Sequence, residues 1–241
     1  MNFALMWESL PKLLDGLVLT LELVALSLIL GIFVAIGIAL LRLSSSRLAS
    51  GFAYGYAFVF RGTPLLVQIF LIYYGLGQFE AVRDSILWTF FREPFWCAIL
   101  ALTLNTAAYT SEIIRGGIQS VPWGQVEAAR ACGMSRLLLY RRIVLPIAIR
   151  QALPAYGNEV ILMVKSSSLA STITLLEITG IARGIIAQTF APVEIFIVAG
   201  AIYLAINFLV SRAIRYAEWR LSPHLRDVPR PLLAPTAIEA H

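Results

Sequence analysis

The segment from Val121 to Arg150 reads VPWGQVEAARACGMSRLLLYRRIVLPIAIR, and how it is read decides the fold of the whole chain. It carries Arg130, Arg136, Arg141, Arg142 and Arg150, with Arg115 just before it, between two long apolar runs. From near Pro122 the stretch through Glu127, Ala128 and Ala129 is Ala-rich and predicts a short helix. Gly133 then permits a turn that a side chain would hinder. The pattern resumes from Met134 to Val144 and predicts a second helix, which Pro146 is expected to break. Two short helices around a glycine make a compact knob, with small Ala128 and Ala129 at its tip, shaped to enter a groove on a partner. On charge alone, a basic amphipathic hairpin resting on anionic lipid is the competing reading.

The surroundings of this segment are those of a membrane protein. The chain has 241 residues, 59% hydrophobic and only 14% charged, with a mean hydropathy of +0.80. These values exclude an ordinary soluble domain. A spanning helix needs about 20 apolar residues. Leu23–Leu41, Gly62–Phe79, Phe95–Ser111 and Ile195–Ser211 satisfy this nearly or fully. Leu153–Leu176 is long enough but carries Glu159 and Lys165, and counts as a span if a protein interior houses them. The expected fold is therefore all-α and integral to the membrane, with five spans and the basic segment between spans three and four. Residues 1–221 form the membrane domain. Residues 222–241, with Pro223, Pro229, Pro231 and Pro235, predict a mobile tail. Met1–Asp15 lacks the basic start and small-residue site of a cleavable signal, so the first span is expected to be an uncleaved anchor.

Arginine placement orients the spans. Arg42 and Arg47 follow span one, the arginine cluster follows span three, and Arg212, Arg215, Arg220, Arg226 and Arg230 follow span five. The opposite loops hold Lys12, Arg83, Arg92 and Arg183 among Glu8, Asp15, Glu80, Asp84, Glu93 and Glu177. The positive-inside rule puts the N-terminus outside and the C-terminus inside, with the segment 121–150 in the cytoplasm. Ile181–Phe190 is expected to form a short helix outside. The net charge of +5 belongs to these loops and is no nucleic-acid signal.

Glu127-Ala128-Ala129, Gly133 four residues after the last alanine, and Ile143, Leu145 and Pro146 together resemble the EAA loop of ABC-importer permeases. Phe60-Arg61-Gly62-Thr63-Pro64, Asn105-Thr106-Ala107-Ala108-Tyr109 and Asn158-Glu159-Val160-Ile161-Leu162 extend the likeness. From about Leu17 to Trp219 the chain resembles the polar amino acid permeases, most of all their histidine, arginine and opine members. The resemblance implies a multi-pass subunit of a bacterial inner membrane that catalyses no covalent chemistry. It implies that Glu127, Ala128, Ala129, Gly133, Leu145 and Pro146 engage an ABC ATPase dimer, and that a soluble binding protein delivers the solute. Five spans enclose a path poorly, so a second permease chain, identical or homologous, is expected. No GxxxxGK[ST] loop occurs, so the chain has no cofactor of its own, and ATP and Mg belong to the partner ATPase.

Charged groups at mid-helix cost about 2.5–3.5 kcal/mol on insertion scales and normally face a cavity or a partner. Asn105, Tyr109 and Glu112 share one face of span three, and Glu159, Met163 and Ser166 one face of span four. Arg61 precedes Gly62-Thr63-Pro64, where the proline disfavours helix at Thr63 and predicts a broken helix with free backbone groups. A site for an amino acid follows from Arg61, Thr63, Asn105, Tyr109, Asn158 and Glu159. Arg61 would fork onto the α-carboxylate, Glu159 would hold an ammonium, and Asn105 or Asn158 would bond alongside. Bland alternatives stand beside these roles. Glu112 pairs with Arg115, Arg61 snorkels, and Lys165 neutralises Glu159.

Other functions find less support. Cys97 and Cys132 lack metal spacing, and His224 and His241 both lie in the tail, so no metal site is expected. A membrane-embedded enzyme would need a nucleophile–base or metal constellation, and none is visible. An ion-coupled carrier using Glu159 as its proton site would not need the EAA loop. A permease for another small polar solute remains the nearer alternative.

Overall fold

A computed structural model of the protein describes residues 1–221, and among these every regular element is helical. The expected tail, 222–241, lies outside the described residues. In chain order the α-helices are α1 (Phe3–Arg42), α2 (Arg47–Gly62), α3 (Leu65–Phe70), α4 (Glu80–Arg83), α5 (Trp88–Phe91) and α6 (Pro94–Gln119). They continue with α7 (Trp123–Ala131), α8 (Arg136–Leu139), α9 (Leu145–Ser166), α10 (Ile178–Thr189) and α11 (Pro192–Leu221). Three of these, α1, α6 and α11, are long and apolar enough to cross a membrane by themselves. The count reaches five if each of two bent pairs is one span, α2 with the segment from Leu65 to Gln78 and Arg136–Ile173 with α10.

Helix α1 differs most from expectation. The predicted span, Leu23–Leu41, is only its second half, and the helix runs 40 residues. At 1.5 Å per residue that is about 60 Å, twice the hydrocarbon thickness. Asn2 caps it, accepting from the backbone N–H of Leu5 at 3.1 Å. Its buried residues Ser9, Leu13, Gly16, Thr20, Leu23, Ser27, Gly31 and Ala35 fall at three- and four-residue steps, so they form one stripe. The small residues of that stripe let α6 approach closely. The polar residues Glu8, Lys12, Asp15 and Glu22 hid this continuity, because they stand off the stripe.

The expected break at Thr63-Pro64 is present. Thr63 is extended (φ −111°, ψ 145°), as the residue before a proline should be. The chain turns by 104° between α2 and the segment starting at Leu65. The residues before Gly62, read from sequence as a loop, are the helix α2, which Tyr56 ties to α6 through a 2.7 Å hydrogen bond to the Leu104 carbonyl. Pro146, by contrast, breaks nothing. It lies near the start of α9, directly after a local change of helical register that accommodates its missing N–H. The chain widens into a π-turn at Tyr140–Val144 just before it and runs straight on.

The main core gathers Leu13, Leu23, Ile69, Leu102, Met163, Ile178 and Ile195 from α1, α3, α6, α9, α10 and α11, with Ile173 from the 3-10 segment Ser167–Ile173 that follows α9. Helix α10 takes in the expected helix up to Thr189, with Phe190 as its left-handed cap, and begins earlier, at Ile178. Its start carries a group that charge counting assigned to an outer loop. Glu177 is fully buried. It accepts from the backbone N–H groups of Thr179 and Gly180, both at 2.9 Å, and from the Tyr203 hydroxyl at 2.6 Å. Here the positive end of α10 stabilises a carboxylate. Gly16 makes the neighbouring contact possible, because a Cβ there would lie 2.7 Å from the backbone nitrogen of Ile178. Glu177→Ala is expected to lower stability by about 1–3 kcal/mol, the cost of stranding buried donors. Glu177→Gln, which can still accept from one N–H, should lose less. Equal melting temperatures for all three proteins in detergent would count against the cap.

Candidate functional site

The broken helix creates the site. Bending at Thr63-Pro64 leaves the carbonyls of Phe60 and Thr63 without helical partners. Gln68, 6% exposed on α3, fills the gap: its Nε2 donates to Phe60 O at 2.8 Å and to Thr63 O at 3.1 Å, and lies 2.8 Å from Thr63 Oγ1. Asn105 on α6 completes the brace, its Nδ2 donating to Gln68 Oε1 at 3.0 Å and to Phe60 O at 3.2 Å. The Asn105 Oδ1 takes no hydrogen bond among the described residues.

Beside this brace lies a cavity of about 430 Å³, walled by the end of α2, the break itself, α6 and α9. Arg61, Thr63, Asn105, Tyr109 and Glu159, all expected from sequence, line it together, as do Met163 and Ser166. Asn158 does not. It is exposed and points away from Glu159, its immediate neighbour on α9. Consecutive helical residues diverge by about 100°, and here that turn carries Asn158 off the wall that Glu159 lines. Gln68 and Thr106 went unread in the sequence. Gln68 had a signal, as a lone amide in the apolar run from Leu65 to Phe70. Thr106 had none, because threonines are unremarkable in such helices.

The electrostatics are sparse. Glu159 is 6% exposed and accepts one hydrogen bond, from Thr106 Oγ1 at 2.9 Å. No cation stands within ion-pairing distance of it among the described residues. Lys165 is exposed and forms no ion pair there either, so the expectation that it neutralises Glu159 is not met. The two are six residues apart on a helix, which puts them on different faces. Arg61 spreads its guanidinium over the Tyr109 ring, 5.3 Å from the centroid, and forms no ion pair among the described residues. Glu112 takes its bland role: Arg115 donates to it at 2.7 and 2.9 Å and Arg42 at 3.2 Å. The cavity thus fixes one positive and one negative group on its walls, neither of them ion-paired among the described residues.

The segment 121–150 folds as a knob with a core of its own. Val121, Val126, Ala129, Leu139, Val144 and Ala148 pack together, apart from the main core. Gly133 has φ +75°. The Met134 N–H bonds to Ala129 O at 3.1 Å and the Gly133 N–H to Arg130 O at 2.9 Å, the paired bonds of a Schellman turn. This accounts for the four-residue spacing from the last alanine to the glycine. It also corrects one expectation. Ala129 is 4% exposed and belongs inside the knob, and only Ala128 shows at the surface. Glu127 is exposed and accepts from Trp123 Nε1 at 2.8 Å. Trp123, Leu137 and Leu145 are exposed as well, Leu137 by 80%.

Residues 27–223 match the family model described as "binding-protein-dependent transport system inner membrane component". The chain is 61% identical over 242 residues to the nopaline transport system permease protein of Agrobacterium fabrum, covering all of both chains. It is 57% identical to the octopine transport system permease protein of Rhizobium meliloti, over 94% of this chain and 93% of that one. It is 44% identical to the histidine/lysine/arginine/ornithine transport system permease protein of Escherichia coli strain K12, over 88% and 89%. Among solved structures, a chain of an amino acid ABC transporter crystallised with histidines superposes with a TM-score of 0.81 at 37% identity, covering 91% of this chain and 99% of that one. A chain of the inward-facing MetNI methionine ABC transporter shares the fold, with a TM-score of 0.62 at 16% identity over 92% and 99%.

Proposed function

The chain belongs to the family of binding-protein-dependent transport system inner membrane components, and from that premise we propose that it imports basic amino acids or opines. It is a transport subunit, a permease of an ABC importer, and not an enzyme. The observation that carries the substrate class is the cavity with unmatched Arg61 and Glu159 on its walls. A solute with a carboxylate and a basic nitrogen answers both charges. The solutes in the relatives' names, nopaline, octopine, histidine, lysine, arginine and ornithine, all have both. Arg61 forks onto the carboxylate, Glu159 holds the cationic nitrogen, and Asn105 Oδ1 accepts alongside. Partial dehydration strengthens both contacts over their worth in bulk water.

The knob 121–150 is the contact for a separate ATPase dimer, which binds ATP and Mg and supplies the work. Exposed Glu127, Ala128 and Leu145 meet it, while Ala129, Gly133 and Pro146 hold the knob in shape. A second permease chain closes the translocation path, and a soluble binding protein loads it from outside. Uptake of L-arginine, octopine and nopaline in cells expressing the whole importer tests this reading. ATP depletion should abolish uptake and proton-gradient collapse should spare it. The reverse pattern would establish an ion-coupled carrier.

The orientation proposed places the N-terminus outside and the knob in the cytoplasm, on the arginine asymmetry. In a background lacking Cys97 and Cys132, a cysteine replacing Ser46 should resist an impermeant thiol reagent applied from outside and react once the membrane is opened. Labelling of intact cells at position 46 would reverse the orientation.

A further inference from the structure

A second cavity, about 360 Å³, lies next to the first and shares Arg61, Gly62 and Tyr109 with it. Its other walls come from Arg42, Ala57 and Glu112. On α6 the polar track descends from Asn105 through Tyr109 to Glu112, seven residues or about 10 Å along the axis. Gln119 and the knob follow, so the second cavity is on the knob side of the first. Of the three arginines here, Arg42 and Arg115 are both spent on Glu112. Arg61 meets an aromatic face instead of a carboxylate. A cation–π contact holds a guanidinium by about 0.5–2 kcal/mol, less than a bidentate carboxylate does. Arg61 is therefore held in place but not satisfied.

We propose that the second cavity is an exit-side subsite for the same solute, reached by a carboxylate that stays on Arg61 while it passes the Tyr109 ring. This rests on the reading of the first cavity as the solute site. In the first cavity the solute has two charged anchors, Glu159 and Arg61. In the second, Glu112 is already matched by two arginines, so the carboxylate keeps Arg61 and the basic nitrogen loses its partner. The two chambers thus differ in how tightly they hold the cationic end and not in how they hold the carboxylate. That ordering lets a solute move toward the knob side without ever releasing both ends at once.

Cysteine protection tests this in the assembled importer, with Cys97 and Cys132 replaced and uptake confirmed. Leu162→Cys reports the first cavity, because Leu162 lines only that one, and Ala57→Cys reports the second. Labelling is timed with a small anionic thiol reagent, with and without saturating L-arginine. Slowed labelling at both positions is expected. Adding Arg61→Gln should raise the L-arginine concentration needed at position 57 about tenfold, as loss of a charge-assisted contact does. If Ala57→Cys fails to assemble, Phe58→Cys, exposed on the same cavity, replaces it. Protection at 162 alone overturns the second subsite and leaves the first standing. Protection at neither position overturns the solute reading itself. Protection at 57 that is indifferent to Arg61→Gln overturns the shared-arginine passage.

Discussion

Gly133→Val is expected to leave the protein inserted in the membrane and to abolish coupled transport, with solute-stimulated ATP hydrolysis falling at least about tenfold. The reason is backbone strain and not crowding, because a Cβ at Gly133 would meet open space. With φ at +75°, an L side chain costs roughly 1–2 kcal/mol there, and a β-branched one more. That penalty falls on a turn whose two hydrogen bonds fix the exit from α7. The knob has only a small core, so it holds little stability in reserve. Relieving the strain swings α7 away from α8 and misplaces Glu127 and Ala128 together. Gly133→Asn, which tolerates the left-handed region better, should retain intermediate coupling. The assay is ATP hydrolysis and uptake by the purified importer, with association of the ATPase measured in parallel. A fully assembled Gly133→Val importer with normal transport would remove the glycine from the coupling role.

The same turn shows what a sequence can and cannot disclose. Gly133 was readable because one residue type answers one backbone need. The break at Thr63-Pro64 was readable for the same reason. Pro146 looked like an equal signal and failed, because the helix widens into a π-turn at Tyr140–Val144 just before it and takes in the proline without stopping. The apolar runs located the membrane-embedded stretches, since hydropathy is summed over many residues. They missed the N-terminal half of α1, where Glu8, Lys12, Asp15 and Glu22 lower the local average without touching the buried stripe. Side chains that serve each other across elements left the weakest traces. Gln68 braces two carbonyls of α2 and its break, Thr106 holds Glu159 from another helix, and Glu177 caps α10 against Tyr203. Each contact reaches into another element, 8 residues back for Gln68 to Phe60, 53 for Thr106 to Glu159 and 26 for Glu177 to Tyr203, and periodicity along one helix says nothing about such contacts. Asn158 erred in the opposite direction: its motif drew it into the site, and the helix turns it out.

Glu159→Gln carries the other large expected effect, a loss of about tenfold or more in uptake of cationic solutes. The amide keeps the volume and can still accept from the Thr106 hydroxyl, which lies 2.9 Å from the carboxylate. What disappears is the charge. Two unit charges 4 Å apart attract by about 1 kcal/mol in water and about 4 kcal/mol at an effective dielectric near 20. The wall of a half-closed cavity lies between those limits, which sets the tenfold floor. Assembly and basal ATP hydrolysis should persist, because Glu159 forms no ion pair among the described residues whose loss would disturb the fold. For the same reason Lys165→Gln should not rescue Glu159→Gln, since the two face different sides of α9 and form no pair among the described residues. Uptake is compared for L-arginine and for a neutral amino acid at equal receptor occupancy. A selective fall for L-arginine fits a cation anchor, whereas equal falls for both would point to a damaged path. Unchanged L-arginine uptake would leave Glu159 without a solute role, and recovery in the double variant would return it to structural charge balance.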